Sequence, residues 1–506
     1  MFGFFFRRLH MSAMSFSEIA VAIDCEIYTG DPAVRVGGIC IHSSKVSRGD
    51  LFIAVKGAVS DGHEYVAEAV SRGAAAVITQ KRLSGLKICG ALAEDSKAAS
   101  ALAACVFHGY PSRGFTLAGV TGTNGKTTVC HLLHSVWERL GHKPAMIGTV
   151  EIRFGDLLRE AQMTTPGSVE LQNFFSLMSA GGADKVCMEV SSHAINEKRV
   201  EGCDFDAAVF TNLTPEHLDY HGDLRSYAAV KKRLFTELLE KSAKKNKFAV
   251  INIDDEIGAE IARDTSGETV SFSTENASAE VFAESFSIGG DGISAEFRTP
   301  WGNLKISSNL IGAHNLSNLL AAAGCALCLG SAPEEVAHAL SSGVFVPGRL
   351  ERVENSGAID VFVDYAHTAD ALERVIRAVR PLCRGKMFVV FGCGGDRDKS
   401  KRPEMGRVAS LNCDVAVLTS DNPRSESPAV IIDEIESGVV PSGCETVKIP
   451  DRREAIRHAI LSAVPGDFVL IAGKGHEKYQ HIGGEKKPFD DMLCAADFLK
   501  EKEDAF

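Results

Sequence analysis

No stretch of the 506-residue chain approaches the roughly 20 apolar residues that a membrane-spanning helix needs, so no membrane partner is expected. An excess of positive charge is missing too. The 54 Lys and Arg are outnumbered by 66 Asp and Glu, a net charge of -12, which argues against a nucleic-acid binder with a basic face. A local basic pocket for phosphates is still compatible with that total. Cysteine pairs at zinc-like spacing are lacking: of 14 cysteines, only Cys325 and Cys328 form a CxxC, inside the Ala-rich, helical-looking run Leu319 to Leu329. The others are scattered singly, as Cys105 is within Ala101 to Phe107, and read as reduced, buried small hydrophobes. A secretory leader is not evident, because Met1 to Arg8 places its apolar run before its charges, the reverse of a signal peptide. Met11 and Met14 are alternative starts. Neither an internal repeat nor a low-complexity tract occurs, and a cytoplasmic protein is expected.

What is present fits a soluble globular chain, with 45% hydrophobic and 24% charged residues. The length suits roughly three domains. Residues 1–114 carry short strands and helices, including Asp50 to Val55 and Ala74 to Ile78, and form a smaller N-terminal α/β domain. Over 115–346, strands at Phe115 to Val120, Lys185 to Val190, Ala207 to Thr211 and Phe248 to Ile253 alternate with helical patterns such as Thr128 to Leu140. That alternation predicts a central, mostly parallel sheet covered by helices, of the P-loop ATPase type. A Pro-Gly break at Val346-Pro347-Gly348 opens a third unit, 347–506. Its buried-strand runs at Asp360 to Val363, Met387 to Phe391, Val415 to Thr419 and Phe468 to Ala472 predict a Rossmann-like domain.

The segment Gly122-Thr123-Asn124-Gly125-Lys126-Thr127-Thr128 lies between a strand and a helix. Small residues let backbone N–H groups close around phosphate oxygens, and the helix N-terminus adds a favourable dipole. Lys126 is placed to reach the β- and γ-phosphates of ATP, and Thr127 to offer a hydroxyl to Mg²⁺. The strict G-x-x-x-x-G-K-[ST] pattern fails at Val120, so the loop indicates nucleotide binding without specifying a reaction. Two later strand ends present Glu189, followed by Ser191-Ser192-His193, and Asn212, followed by Thr214-Pro215-Glu216-His217-Leu218-Asp219-Tyr220-His221. Strand carboxyl ends form the ligand crevice of an open parallel sheet, which places Glu189 to hold Mg²⁺ opposite Thr127. His217 and His221 have i,i+4 spacing, but Leu218 stands where HExxH has glutamate; hydrogen-bonded histidines, one of them assisting a magnesium site, fit better than zinc.

Taken together, GTNGKTT, Glu189-Val-Ser-Ser-His193, Asn212-Leu-Thr-Pro-Glu-His-Leu-Asp219, Gly312-Ala-His-Asn-Leu-Ser-Asn318, Pro347-Gly-Arg-Leu-Glu351 and Asp364-Tyr-Ala-His367 resemble the Mur ligases, in order and over nearly the whole chain. These cytoplasmic enzymes add amino acids to the UDP-MurNAc peptide of peptidoglycan. Within the family the likeness is to the members that extend UDP-MurNAc-L-Ala-D-Glu by a third residue. The resemblance implies phosphorylation of the D-Glu γ-carboxylate by ATP and attack of an amine on the acyl phosphate, with charge neutralised by Mg²⁺ and lysines. It implies that Lys231, in Tyr227-Ala-Ala-Val-Lys-Lys232, is carbamylated and joins Thr127, Glu189 and His217 at the metal, whereas the residues alone read as a solvated helix face. It also implies that Asn315 and Arg349 contact nucleotide, that Asp364 lies near the ribose, and that His367 and Lys399 face the phosphates.

For the UDP-sugar peptide, the resemblance implies contacts from Ser43, Thr164, Thr165, Ser191 and Arg199. The sequence departs from the family at His42-Ser43-Ser44, where Asp-Ser-Arg is frequent, at Met163, where Asn is frequent, and at Glu197, where Gln is common. For the added amino acid, Gly394-Gly-Asp-Arg397-Asp-Lys399, Asp421-Asn422-Pro423-Arg424 and Gly473-Lys-Gly-His-Glu477 supply guanidinium and carboxylate groups. Arg suits bidentate carboxylate binding and Glu suits ammonium, the two ends of a diamino acid's far head. Asp-Asn-Pro-Arg resembles the signature of members that add meso-diaminopimelate, with Arg397, Asn422, Arg424, Gly473 and Glu477 forming the pocket. Read alone, it is an Asn-Pro turn with Arg424 in solvent.

Lysine or ornithine as the added amino acid is the first alternative. A folylpolyglutamate synthase-like ligase, which would lack this N-terminal domain, is another. A nucleotide-gated regulatory protein that has lost catalysis is a third, and it predicts loss of a residue among Lys126, Glu189, His217 and Lys231, all of which are present. A monomer acting on small molecules is expected.

Overall fold

A computed structural model describes residues 13–57, 60–355, 359–441 and 443–504. Met1 to Arg8 and Met11 lie outside them. Among the described residues, no helix is long and apolar enough to cross a membrane.

The N-terminal sheet has five strands in the order Glu26–Thr29, Cys89–Leu92, Ala76–Thr79, Asp50–Ile53, Gly38–Cys40. All its pairings are parallel except that of the first two strands. The helix Ser96–Phe107 is capped by Asp95, whose carboxylate accepts from the amides of Lys97 and Ala98.

An 11-stranded sheet forms the middle of the molecule. Its parallel centre runs Pro144–Ile147, Lys185–Glu189, Thr116–Thr121, Ala207–Phe210, Phe248–Asn252, Glu268–Ser273. Side chains alternate across it as the strand period demands: Val120, Val209 and Val250 enter the core on one face, and Leu117, Ala208 and Ile251 the core on the other. All six are fully buried, the pattern of a sheet covered on both faces. The helices Lys126–Arg139 and Ala313–Cys328 cover the first face through Leu132, Val136, Leu319 and Leu320. Cys325 is buried in that helix, and Cys328 donates its S–H to the Cys325 carbonyl.

The expected parallel sheet is therefore found, but antiparallel strands extend both its edges. Glu151–Phe154 and Leu157–Glu160 add to Pro144–Ile147, and Gly292–Arg298 and Leu304–Ser308 add beyond Val281–Gly289. Gly292–Arg298 and Leu304–Ser308 alternate buried with more exposed positions, and no glycine-loop motif marks any of the four in the sequence.

The C-terminal sheet is ordered Glu351–Arg352, Asp360–Asp364, Phe468–Ala472, Met387–Phe391, Val415–Leu418, Glu445–Lys448. Every pairing after the first is parallel. Arg452 and Asp491 form a fully buried ion pair beneath it, and Arg452 also donates to the carbonyls of Ser420 and Ala472 at two strand ends.

Candidate active site

The strand Thr116–Thr121 hands directly into the glycine loop, and the helix starts at Lys126. Gly122 has φ +145°, and a Cβ there would lie 1.9 Å from Thr211 Oγ1; Gly125 has φ +88°, and its Cβ would meet Asn318 Oδ1 at 2.4 Å. Both positions therefore require glycine. The neighbouring strand end holds the loop in shape. Thr211 Oγ1 donates to the Asn124 carbonyl (2.6 Å), and Asn212 accepts from the amides of Thr123 (2.8 Å) and Asn124 (3.0 Å) through its carbonyl and its Oδ1. Lys126 Nζ donates to the carbonyls of Gly122 (3.0 Å) and Thr123 (2.7 Å).

Glu189 lies at the end of the adjacent strand, 1% exposed. Its Oε1 accepts from Thr127 Oγ1 (2.9 Å) and the Thr149 amide (2.7 Å), and its Oε2 from Thr149 Oγ1 (3.0 Å). Arg349 reaches Thr127 Oγ1 from the C-terminal domain at 3.4 Å. Among the described residues no Lys or Arg forms an ion pair with Glu189. A buried carboxylate held by neutral donors next to a hydroxyl at the loop's end is a hard-oxygen set that fits Mg²⁺.

Behind the loop, Lys231 is 1% exposed and donates to the Gly122 carbonyl at 2.8 Å. The solvated helix face read from the residues alone is thus wrong for Lys231, because its helix turns this side toward the loop. Burial, followed by the charge of Lys126, pushes its amine well below the ordinary lysine value. The neighbouring Lys232 instead pairs with Asp264 at the surface.

Glu216, quoted in the motif but given no role in the sequence reading, proves central. Its Oε1 is 3.8 Å from both His217 Nε2 and His367 Nε2. Burial pushes its carboxyl up, but His217, Lys126, His367 and Lys231 together hold it below the usual glutamate value. His217 takes a left-handed backbone (φ +57°) ahead of the short helix Leu218–His221, and burial depresses its imidazole. His221 hydrogen-bonds to Ser192 Oγ at 3.0 Å, and the His193 ring contacts His217, Tyr220 and His221. Local spacing could not single out Glu216, because the charges around it arrive from three separate segments.

A cleft opens beside the loop, between the central and C-terminal domains. It is lined by Asn315, Arg349 and Asp364, together with His314, Asn318 and Arg374, which the sequence reading left out. Asp364 accepts from the amides of Leu350 (2.7 Å) and Ala366 (2.8 Å). Asp370 joins the two domains at the loop, accepting from Asn124 Nδ2 (3.2 Å) and Thr214 Oγ1 (3.1 Å). Lys401, not Lys399, donates to the His367 carbonyl (2.9 Å); Lys399 pairs with Glu426.

Four of the residues assigned to the UDP-peptide meet in one cluster. Thr165 Oγ1 donates to the Glu189 carbonyl (2.8 Å) and lies 3.3 Å from Ser191 Oγ, Arg199 donates to the Thr165 carbonyl (3.2 Å), and the Thr149 and Thr164 hydroxyls are 3.1 Å apart. Ser43 sits apart, opening the short 3-10 turn Ser43–Lys45 of the N-terminal domain, with no hydrogen bond to that cluster among the described residues. Two of the departures from the family have local partners. Met163 Sδ accepts from Arg199 (3.4 Å), and Glu197 pairs with Lys97 of the N-terminal domain (2.7 Å) while accepting from Tyr220 (2.8 Å). His42 precedes the 3-10 turn and Ser44 lies within it, exposed; nothing in the structure explains either departure.

In the C-terminal domain, three distant loops converge. A Cβ on Gly394 would lie 2.9 Å from Arg424 NH1 and 3.8 Å from Arg397 Cγ, so the guanidinium-bearing side chains flank one glycine. Arg424 is half-buried, with φ +52°, and donates to the Gly395 carbonyl (2.7 Å), which differs from a solvated turn. Asp421 is buried, and Gly473 (φ +111°) lets it approach: a Cβ there would stand 2.7 Å from Asp421 Oδ2. Asn422 donates to Glu477 Oε2 at 2.8 Å, next to Pro423.

Three family models match in order: "Mur ligase family, catalytic domain" over residues 35–112, "Mur ligase middle domain" over 120–326, and "Mur ligase, glutamate ligase domain" over 348–475. The UDP-N-acetylmuramoyl-L-alanyl-D-glutamate–2,6-diaminopimelate ligase of Geobacter metallireducens is 43% identical, over 96% of this chain and 99% of its own. The ligase of the same name from Geobacillus kaustophilus is 44% identical, over 91% and 94%. A solved structure under that name is 31% identical with a TM-score of 0.70, covering 97% of this chain and 99% of its own. With its three large sheets, its phosphate loop and these matches along its length, the chain belongs to the Mur ligase family.

Proposed function

We propose that the protein is the ATP-dependent ligase that adds 2,6-diaminopimelate to UDP-MurNAc-L-Ala-D-Glu in peptidoglycan precursor synthesis. One observation carries the reading. One cavity is lined both by Thr149, which hydrogen-bonds Glu189, with its neighbour Thr164, and by Glu477 of the amino-acid pocket. A γ-carboxylate held beside the two threonines is then within the same space as an amine held beside Glu477.

The D-Glu γ-carboxylate oxygen attacks the γ-phosphorus of ATP, the bridging P–O bond breaks, and ADP leaves. The amine of diaminopimelate attacks the acyl carbon, and the tetrahedral intermediate expels phosphate as the amine loses a proton. The amides of residues 122–128 and Lys126 cradle the triphosphate, with Asn315, Arg349 and Asp364 in the adjoining nucleotide cleft. Thr127, Glu189 and His217 would hold Mg²⁺, whose charge offsets that of the meeting carboxylate and triphosphate. Lys231 is proposed to join them as its carbamate; burial lowers its amine's proton affinity, and the neutral amine is the form that reacts with carbon dioxide. His367 lies by Glu216 on the phosphate side. Ser43, Thr164, Thr165, Ser191 and Arg199 bind the UDP-peptide. Arg397 and Arg424 take the distal carboxylate of diaminopimelate and Glu477 its ammonium, with Asp421, Asn422, Pro423 and Gly473 shaping the pocket. The enzyme is proposed to act as a cytoplasmic monomer.

Purified protein with ATP, Mg²⁺ and UDP-MurNAc-L-Ala-D-Glu is expected to release phosphate when diaminopimelate is added. Release with lysine or ornithine instead would overturn the choice of amino acid, and release with none would overturn the reaction.

A further inference from the structure

Between the Asp421–Arg424 loop and the Gly473–Glu477 loop lies a side chain for which the proposed function has no use. Lys474 is 0% exposed, yet it is a cation with three N–H donors and no acceptor. Its Nζ donates to Asn422 Oδ1 at 3.1 Å and to Glu477 Oε2 at 2.9 Å, and it lies 5.6 Å from the centre of the Tyr479 ring. A buried ammonium is costly, so its retention here needs a reason beyond filling space.

The reason lies in what those two contacts fix. Because Lys474 can only donate, Asn422 must turn its oxygen toward it, and the His481 amide donates to that same oxygen at 2.9 Å. The Asn422 NH₂ is then directed at Glu477 Oε2, where it donates at 2.8 Å. Both donors converge on one oxygen of Glu477, and no hydrogen bond is made by Oε1 among the described residues. Glu477 lines the large cavity, half-buried. The carboxylate is therefore held by one oxygen, with the other left to accept from a ligand.

We propose that Lys474 is a positioning residue for specificity: it locks Asn422 and Glu477 so that the free carboxylate oxygen meets the distal ammonium of the incoming amino acid. This rests on the diaminopimelate reading above. Lys474 touches neither the reacting amine nor the acyl phosphate, so its loss is expected to alter selection of the amino acid more than turnover.

The test compares diaminopimelate with 2-aminopimelate, which keeps the attacking amine and both carboxylates but lacks the distal amine. In wild-type enzyme kcat/KM should favour diaminopimelate. In Lys474→Met that preference should fall by about 30-fold or more, mostly through KM for diaminopimelate, with KM for ATP and for the UDP-peptide unchanged. Lys474→Gln, which keeps a donor for Asn422 Oδ1, should recover part of the preference, and it carries the same comparison if the methionine variant does not fold. A double-mutant cycle with Glu477→Gln should be strongly non-additive. An undiminished preference in either folded variant, or equal losses for all three substrates, overturns the role of Lys474. Wild-type enzyme that does not use diaminopimelate overturns the functional reading itself, and this one with it.

Discussion

Residues 122–128 and the proposed amino-acid pocket both gather charged groups, but they are assembled differently. The phosphate loop is seven consecutive residues whose shape comes from two glycines and a neighbouring strand end. The pocket draws on residues 394–397, 421–424 and 473–477, which meet only because Met387–Phe391, Val415–Leu418 and Phe468–Ala472 end on the same side of a parallel sheet. A contiguous loop binds with backbone amides that nearly any sequence supplies, so it is generic. A pocket gathered from three loops binds with side chains, and each loop varies independently, so it can be selective. Under the proposed function, energy source and substrate choice are in this way placed on separate parts of the chain.

The comparison can be broken most sharply at the loop. Lys126→Ala is expected to lower kcat by about a thousandfold with every amino acid tried, leaving thermal unfolding unchanged. Retained ligase activity would remove Lys126 from the mechanism. On the pocket side, Arg452→Met leaves Asp491 as a lone buried anion and releases the strand ends at Ser420 and Ala472. A loss of about 3–5 kcal/mol, read from denaturant midpoints, is expected. Glu477→Gln should lower kcat/KM for diaminopimelate by about 10- to 100-fold with KM for ATP unchanged, the opposite selectivity to Lys126→Ala. An equal rise in KM for ATP would mean that the two regions are not separable.

Smaller effects sharpen the picture. Burial holds the His131 imidazole, on the loop's own helix, down to about 3, against an ordinary value near 6.5. The folded protein keeps it neutral where the unfolded chain binds a proton. Its contribution is thus complete above about pH 6.5 and erodes as pH falls toward 3. His131→Leu should flatten the decline of Tm across that window; an unchanged slope would show that other groups drive it. Lys97→Ala, which breaks the partly exposed pair with Glu197 across the domain boundary, should cost about 0.5 kcal/mol or less.

Much of this was legible in the sequence. Alternating strand and helix patterns located the parallel centre of the large sheet, because a strand buried on both faces has to be a short continuous apolar run. The antiparallel extensions at 151–160 and 281–308 escaped notice, since half-polar hairpins resemble loops when read locally. In the site, most residues inside contiguous motifs were assigned roles, whereas Glu216 and Lys474, which stand in those motifs without a role, and Thr149 and Asp370 act through partners 40 to 246 positions away. No spacing rule reaches that far.

The sequence by itself determined the glycine loop, the buried strands and, through motifs spread along the chain, the family. Local periodicity and turn chemistry act within a few residues and leave their mark on neighbouring letters. Only the tertiary structure decided that Lys231 faces inward, that Glu216 gathers the charges behind the loop, and that a buried lysine fixes one oxygen of Glu477. Those properties depend on which groups share a low-dielectric space, and that is settled by how the sheets and domains pack.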